Sequence, residues 1–198
     1  MKKPTIGVLA LQGAVREHVG MLEDVGARGI ALKYPSELHL CSALIIPGGE
    51  STAIGRLMGE YGFLDEVREL ARQGMPIYGT CAGLIMLAGR LVEGDQPLLG
   101  LMDITVRRNA YGRQVDSFEA DIHLRGIEDP SRPFRAVFIR APWIEEVGPK
   151  VEVLGEHGGR AVIARQDVML VSAFHPELTN DGRVHRYFLG MVVEAGQG

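Results

Sequence analysis

The first half of the chain alternates between two hydrophobic periodicities, and this alternation constrains the fold more than any other feature. Residues 5–11 (TIGVLAL) are continuously apolar and partly β-branched, which is typical of a strand buried on both faces. Residues 14–26 then switch to helical spacing. The apolar stripe of that helix consists of Val15, Val19, Leu22 and Val25. The two segments predict a βα unit.

The same signals recur through the next 50 residues. Strand-like segments cover 30–34, 43–47 and 75–79, and helical segments at 51–62 and 63–74 each end at a glycine. Strands and helices that alternate in this way form a parallel sheet covered by helices on both faces. The first half therefore predicts an open, mostly parallel α/β sheet.

The second half of the chain changes to strands without long intervening helices. A final helical segment covers 183–195. The predicted strands are 101–108, 113–124, 134–142, 151–157, 160–166 and 168–177. We therefore expect antiparallel β additions to the sheet, within a single domain that covers residues 1–198.

Composition excludes several classes of function. The 21 basic and 25 acidic residues give a net charge of −4, and no basic stripe is present to bind nucleic acid. No stretch approaches the about 20 apolar residues that span a membrane. Pro4 and Gln12 interrupt the apolar run near the start, which disfavours a secretion signal. Two cysteines in different contexts, Cys41 and Cys81, indicate reduced thiols in the cytoplasm.

Cys81 lies where a predicted strand turns directly into a helix. Such a turn strains the backbone of its central residue and exposes the side chain at the sheet edge where ligands bind. The small residues Gly79, Ala82 and Gly83 allow strand and helix to approach closely. A helix N-terminus favours the thiolate, and the Ala82 amide can donate to an oxyanion. This pattern predicts a nucleophile; the alternative, a cysteine packed as a small hydrophobe, is the role expected for Cys41.

A cysteine nucleophile needs a base and a group that orients the base. His175 ends a strand-like run and Glu177 follows two residues later, so extended backbone would project both side chains to the same side. Pro176 stiffens this placement. A purely structural histidine is the alternative, which the pairing with a cysteine turn disfavours.

A third pattern, PGGEST at 47–52, follows a predicted strand. Gly48 and Gly49 can expose successive amides to an anion, and Ser51 or Thr52 can cap the next helix. The alternative is a tight turn with an ordinary N-cap, which would have the same sequence. Phosphate-loop and dinucleotide-binding glycine patterns are absent, and the histidines lack metal-ligand spacing. The sequence thus predicts neither a cofactor nor a metal.

These motifs together resemble the class I (triad) glutamine amidotransferase family. Residues 79–83 meet its G-x-C-x-G pattern, and residues 175–177 meet its His-Pro-Glu. Four further stretches, spread over nearly the whole chain, resemble the subfamily of glutaminase subunits that serve pyridoxal 5′-phosphate synthases. They are GVLALQGAVREH, PGGEST, RRNAYGRQVDSFEA and FIRAP. Ala110 and Tyr111 depart from the Ser and Phe expected after the Arg-Asn pair.

The resemblance implies a flavodoxin-like fold and the hydrolysis of L-glutamine to L-glutamate and ammonia. Its triad would be Cys81, His175 and Glu177. The oxyanion would be held by the amide of Ala82 and by an amide of the Gly48-Gly49 turn, which in this family reorients before it donates. Glutamine would contact Gly49, Glu50, Ser51, Arg108, Ile139 and Arg140.

The resemblance also implies a partner, a separate (β/α)₈-barrel pyridoxal 5′-phosphate synthase subunit that receives the ammonia and activates the glutaminase on docking. Pyridoxal phosphate would be the product of that complex and not a cofactor of this chain. The docking surface would include Gln12, Arg16, Glu17 and His18.

Three alternatives remain open at the level of sequence. The chain could serve another synthase, such as that of imidazole glycerol phosphate formation, although PGGEST and GRQVDSF argue against it. It could be a non-catalytic protein with a reactive cysteine, which would leave the His-Pro-Glu motif unexplained. It could also be a cysteine peptidase of related fold, which would need an open substrate cleft.

Overall fold

The computed structural model describes residues 3–108 and 117–197. Its parallel part alternates strands and helices. Its elements are β1 (Thr5–Leu9), α1 (Val15–Asp24), β2 (Arg28–Leu32), β3 (Ala43–Ile46), α2 (Ser51–Glu60), α3 (Phe63–Arg72), β4 (Ile77–Thr80) and α4 (Ala82–Leu87). A 3₁₀ helix, Pro35–Leu40, precedes β3.

The remaining elements are mostly strands. They are β5 (Ala88–Leu91), β6 (Met102–Arg107), β7 (Ser117–Ile122), β8 (Phe134–Ile139), β9 (Trp143–Val147), β10 (Glu152–His157), β11 (Arg160–Gln166) and β12 (Met169–Ser172). A 3₁₀ turn, Pro176–Leu178, and the helix α5 (Arg183–Ala195) follow.

The predicted parallel sheet is confirmed. Strands lie in the order β2-β1-β3-β4-β12, and every neighbouring pair among them is parallel. The chain moves one way across the sheet from β1 to β2 and the opposite way from β3 to β4. Because parallel crossovers are right-handed, α1 lies on one face and α2 with α3 on the other. The carboxyl ends of β1, β3 and β4 consequently meet at one edge.

The antiparallel additions are confirmed as well. Beyond β12 the sheet continues as β11-β9-β6-β5, with β10 also paired to β11, and β7 and β8 form a separate antiparallel pair. Residues 113–116 of the predicted strand 113–124, like Ala110 and Tyr111, lie outside the described residues. Two strands, β5 and β9, were not predicted, because each is short and largely exposed and has no continuous apolar run.

The core lies between the sheet and its helices, and α1 contributes to it differently from the prediction. The β3 side chains are all buried, and Tyr78 of β4 packs on Phe188 of α5 with ring centroids 5.5 Å apart. On α1 the buried residues are His18, Met21 and Leu22, whereas the three valines of the predicted stripe are only half-buried. A fully buried histidine thus faces the core where the sequence pattern predicted valine.

Candidate active site

Cys81 occupies a strained turn between β4 and α4. Its backbone has φ 49° and ψ −100°, a combination that L-residues rarely adopt. Its amide donates to the Ser172 carbonyl over 2.8 Å, which fixes the turn to β12. A Cβ at Gly83 would overlap the Ile46 carbonyl oxygen, so only glycine lets α4 approach β3 this closely.

The Cys81 side chain borders a cavity of about 380 Å³ at the carboxyl ends of the parallel strands. The cavity brings together most of the predicted site residues. They are Gln12, Gly48, Gly49, Glu50, Ser51, Cys81, Ala82, Arg108, Ile139, Arg140 and His175. Glu177 lies behind His175 and does not line the cavity, while Arg16 and Glu17 are exposed outside it.

His175 and Glu177 are in direct contact, although not through the predicted backbone. His175 Nδ1 lies 2.7 Å from Glu177 Oε1, and both residues are buried. The extended backbone predicted for 175–177 is wrong, because β12 ends at Ser172 and Pro176 begins a 3₁₀ turn. This turn brings the carboxylate back under the imidazole, and the His175 amide donates to the Val137 carbonyl over 2.8 Å.

The surroundings of His175 favour its charged form. Burial alone would lower the pKa of the ring, but hydrogen bonds with Cys81 and Glu177 and the negative charges of both outweigh it and raise the pKa to about 10. The imidazole is therefore placed to hold a proton between a sulfur atom and a carboxylate.

Hydrogen bonds hold the glycine turn after β3 on two sides. The Gly48 amide donates to Thr80 Oγ1 over 3.0 Å, and the Gly48 carbonyl accepts from the Ala14 amide over 3.3 Å. On the next residue, the Glu50 amide donates to Gln12 Oε1 over 2.7 Å. The Gly48 amide consequently points at Thr80 in this conformation and is not free to stabilise an oxyanion.

The cap of α2 differs from the prediction of Ser51 or Thr52. Glu50 is the N-cap, and its carboxylate accepts from the amides of Thr52 (3.1 Å) and Ala53 (2.7 Å). Burial raises the pKa of Glu50, but these amides and the charge of Arg108 lower it by more. The cavity thus has a fixed negative charge at one wall.

Gln96, which no sequence pattern identified, is hydrogen-bonded to two residues that line the cavity. Its Oε1 accepts from Arg108 Nη1 (3.1 Å) and Ser51 Oγ (3.1 Å), and its Nε2 donates to the Ser51 carbonyl over 3.3 Å. Arg108 Nη1 also donates to Thr52 Oγ1 over 3.2 Å. Gln96 lies in a polar loop with no motif, so only the fold identifies it.

The predicted docking residues divide into two groups. Gln12, Arg16 and Glu17 are exposed. The placement of His18 on the docking surface is wrong, because the ring is 0% exposed and points inward, where its two nitrogens contact His185 and Thr80.

Other features of the described residues bear on the classes of function considered above. Cys41 is half-buried against the core, and burial followed by the nearby Glu37 carboxylate raises its pKa to about 11. Within 3–108 and 117–197, no helix is long and apolar enough to cross a membrane. The same ranges contain no group of three or more His, Cys, Asp or Glu side chains suited to a metal ion.

Comparison with known proteins defines the class. A crystal structure described as a glutamine amidotransferase matches with a TM-score of 0.90 and 47% identity over 95% of this chain and 98% of that one. A glutamine amidotransferase from Thermotoga maritima, 14% identical, shares the fold with a TM-score of 0.61 over 100% of this chain and 86% of that one.

The family follows from the sequence comparison. The model of the SNO glutamine amidotransferase family matches residues 8–194, and the chain belongs to that family. Two curated relatives carry the name pyridoxal 5′-phosphate synthase subunit PdxT. The protein from Niallia circulans is 53% identical, and the alignment covers 96% of this chain and 98% of the relative. The protein from Acidothermus cellulolyticus is 54% identical, and the alignment covers 96% of this chain and 94% of the relative.

Proposed function

We propose that this chain hydrolyses L-glutamine to L-glutamate and ammonia with Cys81, His175 and Glu177, acting as one glutaminase domain in the cytoplasm. The observation that carries the proposal is the contact of His175 with Glu177 at 2.7 Å beside a strained cysteine that borders the cavity. This arrangement supplies a nucleophile, a base and an orienting carboxylate.

The reaction proceeds in two displacements. The Cys81 thiolate attacks the side-chain carbonyl carbon of glutamine; the C–S bond forms, the C–N bond breaks, and His175 donates the proton that lets ammonia leave. Water, deprotonated by His175, then attacks the thioester, which releases glutamate and returns the thiol. The raised pKa of His175 keeps a proton on the imidazole, where it is available for the departing ammonia.

Two amides support the developing oxyanion. The Ala82 amide opens α4 and has no partner within that helix, as expected of a first-turn donor. The second donor comes from the Gly48-Gly49 turn, where the Gly48 amide must first leave Thr80 Oγ1. Full activity consequently requires a rearrangement of this turn, which would keep the free subunit slow.

The charges of the cavity fit the two ends of an amino acid. Glu50 presents a carboxylate that suits the α-ammonium group, and Arg108 and Arg140 present guanidinium groups that suit the α-carboxylate. Gly49 and Ser51 line the same wall, and Ile139 places its carbonyl 3.8 Å from the Cys81 sulfur. Glutamine bound between these groups would present its side-chain amide to Cys81.

The partner follows from the relatives, whose names describe a subunit of pyridoxal 5′-phosphate synthase. The ammonia is delivered to a separate barrel-type synthase subunit for vitamin B6 biosynthesis. That subunit docks on the exposed residues Gln12, Arg16 and Glu17 beside the cavity. Because Gln12 also holds the Glu50 amide, docking there acts directly on the segment that follows the glycine turn.

Ammonia release from glutamine, measured with the purified chain alone and after addition of the barrel-type subunit, tests this proposal. We expect slow release by the chain alone and a marked increase on mixing. Release that ignores the added subunit would contradict the assigned partner, and no release in either condition would contradict the glutaminase activity itself.

A further inference from the structure

A buried polar cluster lies directly behind the triad, and its two histidines have no role in the steps above. His18 of α1, Thr80 of β4 and His185 of α5 are all 0% exposed. His18 Nδ1 lies 3.0 Å from His185 Nε2, and His18 Nε2 lies 3.1 Å from Thr80 Oγ1. The same Nε2 is 3.5 Å from Glu177 Oε2. Polar groups this deeply buried need partners, so the contacts restrict where each proton lies.

The second oxygen of Glu177 depends on His18. Oε1 is used by His175, and Oε2 has no hydrogen-bond partner within the described residues at ordinary distance. His18 Nε2 lies 3.5 Å from Oε2 and is placed to donate to it. A buried carboxylate oxygen without a donor is costly, so a proton on Nε2 is the favourable arrangement.

The alternative tautomer of His18 fails on two counts. Burial, then the nearby His185 and His175, lower the pKa of His18 well below its usual value, so the ring is neutral and has one N–H. With the proton on Nδ1, the lone pair of Nε2 could accept from the Thr80 hydroxyl, but Glu177 Oε2 would then have no donor on this side, and His185 would have to leave an N–H unpaired at Nδ1. With the proton on Nε2, His185 leaves only a lone pair unpaired, which costs less.

We propose that His18 is a positioning residue of the triad, whose Nε2–H holds Oε2 of Glu177 so that Oε1 stays aligned on His175 Nδ1. The inference rests on the proposed glutaminase function. It places His18 one step behind the carboxylate, where it touches neither glutamine nor the reacting sulfur.

Thr80 connects His18 to the glycine turn on the other side of the active site. Its Oγ1 accepts from the Gly48 amide over 3.0 Å and lies 3.1 Å from His18 Nε2. One imidazole nitrogen therefore contacts both the residue that orients the carboxylate and the residue that restrains the glycine turn. His18 connects the two halves of the active site through atoms shielded from solvent.

Two amide substitutions distinguish the role of His18 Nδ1 from that of His18 Nε2. In His18→Asn the amide group lies near the position of Nδ1, facing His185, and in His18→Gln it reaches the position of Nε2, facing Glu177. With the complete complex and saturating glutamine, we expect His18→Asn to lower kcat by about tenfold or more, with KM changed by less than about twofold. His18→Gln should retain most of the wild-type kcat.

A control isolates the effect of losing a buried polar group. Thr105→Val removes a buried hydroxyl of β6 that donates to Glu146 Oε2 over 3.1 Å, outside the cluster of His18, Thr80, His185 and Glu177. It should lower thermal stability without changing kcat. If His18→Asn does not fold, His18→Ala also lacks the donor and takes its place.

Equal kcat values for the Asn and Gln variants, or a wild-type kcat in the Asn variant, would overturn the role of His18 while leaving the glutaminase proposal intact. Absence of glutamine hydrolysis by the wild-type complex would overturn both. A rise in KM with unchanged kcat would assign His18 to substrate binding and would also contradict the inference.

Discussion

We expect Cys81→Ala to abolish ammonia release from glutamine, with a loss of about 10⁴-fold or more, because the variant lacks the sulfur that attacks the amide. We expect the fold to survive the change, since the side chain loses one sulfur atom and the strained backbone conformation is no harder for alanine than for cysteine. The free energy of unfolding should fall by about 1 kcal/mol or less. Ammonia assays and thermal melts of both proteins measure the two effects.

The second cysteine provides the matched control. Cys41→Ala removes the same atom from a half-buried site outside the cavity and should leave ammonia release unchanged. Glutaminase activity retained by Cys81→Ala would remove this residue from the mechanism, and activity lost equally in both variants would point to a general effect of removing a thiol.

Glu177→Gln is expected to have the second-largest effect, a fall in kcat of about 10²- to 10⁴-fold. The side chain keeps its shape and its contact with His175, but it loses the charge that stabilises the imidazolium. The fall should be smaller than that of Cys81→Ala, because the nucleophile and the Ala82 amide remain. Steady-state kinetics of the complete complex measure it.

The exposed carboxylate Glu69, which pairs with Arg72 on α3, provides a control for the same chemical change. Glu69→Gln should leave kcat at the wild-type value. An unaltered rate in Glu177→Gln would show that His175 needs no orienting carboxylate, and the triad would reduce to a cysteine–histidine pair.

Much of the fold could be predicted because local patterns determine it. The predicted helix 183–195 coincides with α5, and each apolar run before residue 80 overlaps a strand of the parallel sheet. Strands β5 and β9 escaped prediction because each is short and largely exposed, so no continuous apolar run marks it. Both pair with β6, and that pairing is not visible in their local sequence.

The candidate site likewise contains residues that the sequence predicted and residues that it did not. The turn at Cys81 was predictable, since small residues must flank a strand that enters a helix directly. The positions of His18 and Gln96 were not, because each depends on partners 40 or more residues away, such as Thr80 for His18 and Ser51 for Gln96. The cap of α2 was misassigned to Ser51 or Thr52 because Glu50, which precedes both, reaches the same amides.

Affinity labelling with a γ-chloroketone analogue of glutamine tests the central claim most directly, since it reports which atom attacks the carbonyl of a bound glutamine. Peptide mapping of the labelled complex at neutral pH should place the adduct on Cys81, and excess glutamine should prevent it. Cys41 serves as an internal comparison, because its pKa of about 11 keeps it a thiol at that pH. Labelling of Cys41 instead, or labelling of Cys81 that glutamine does not slow, would contradict the account.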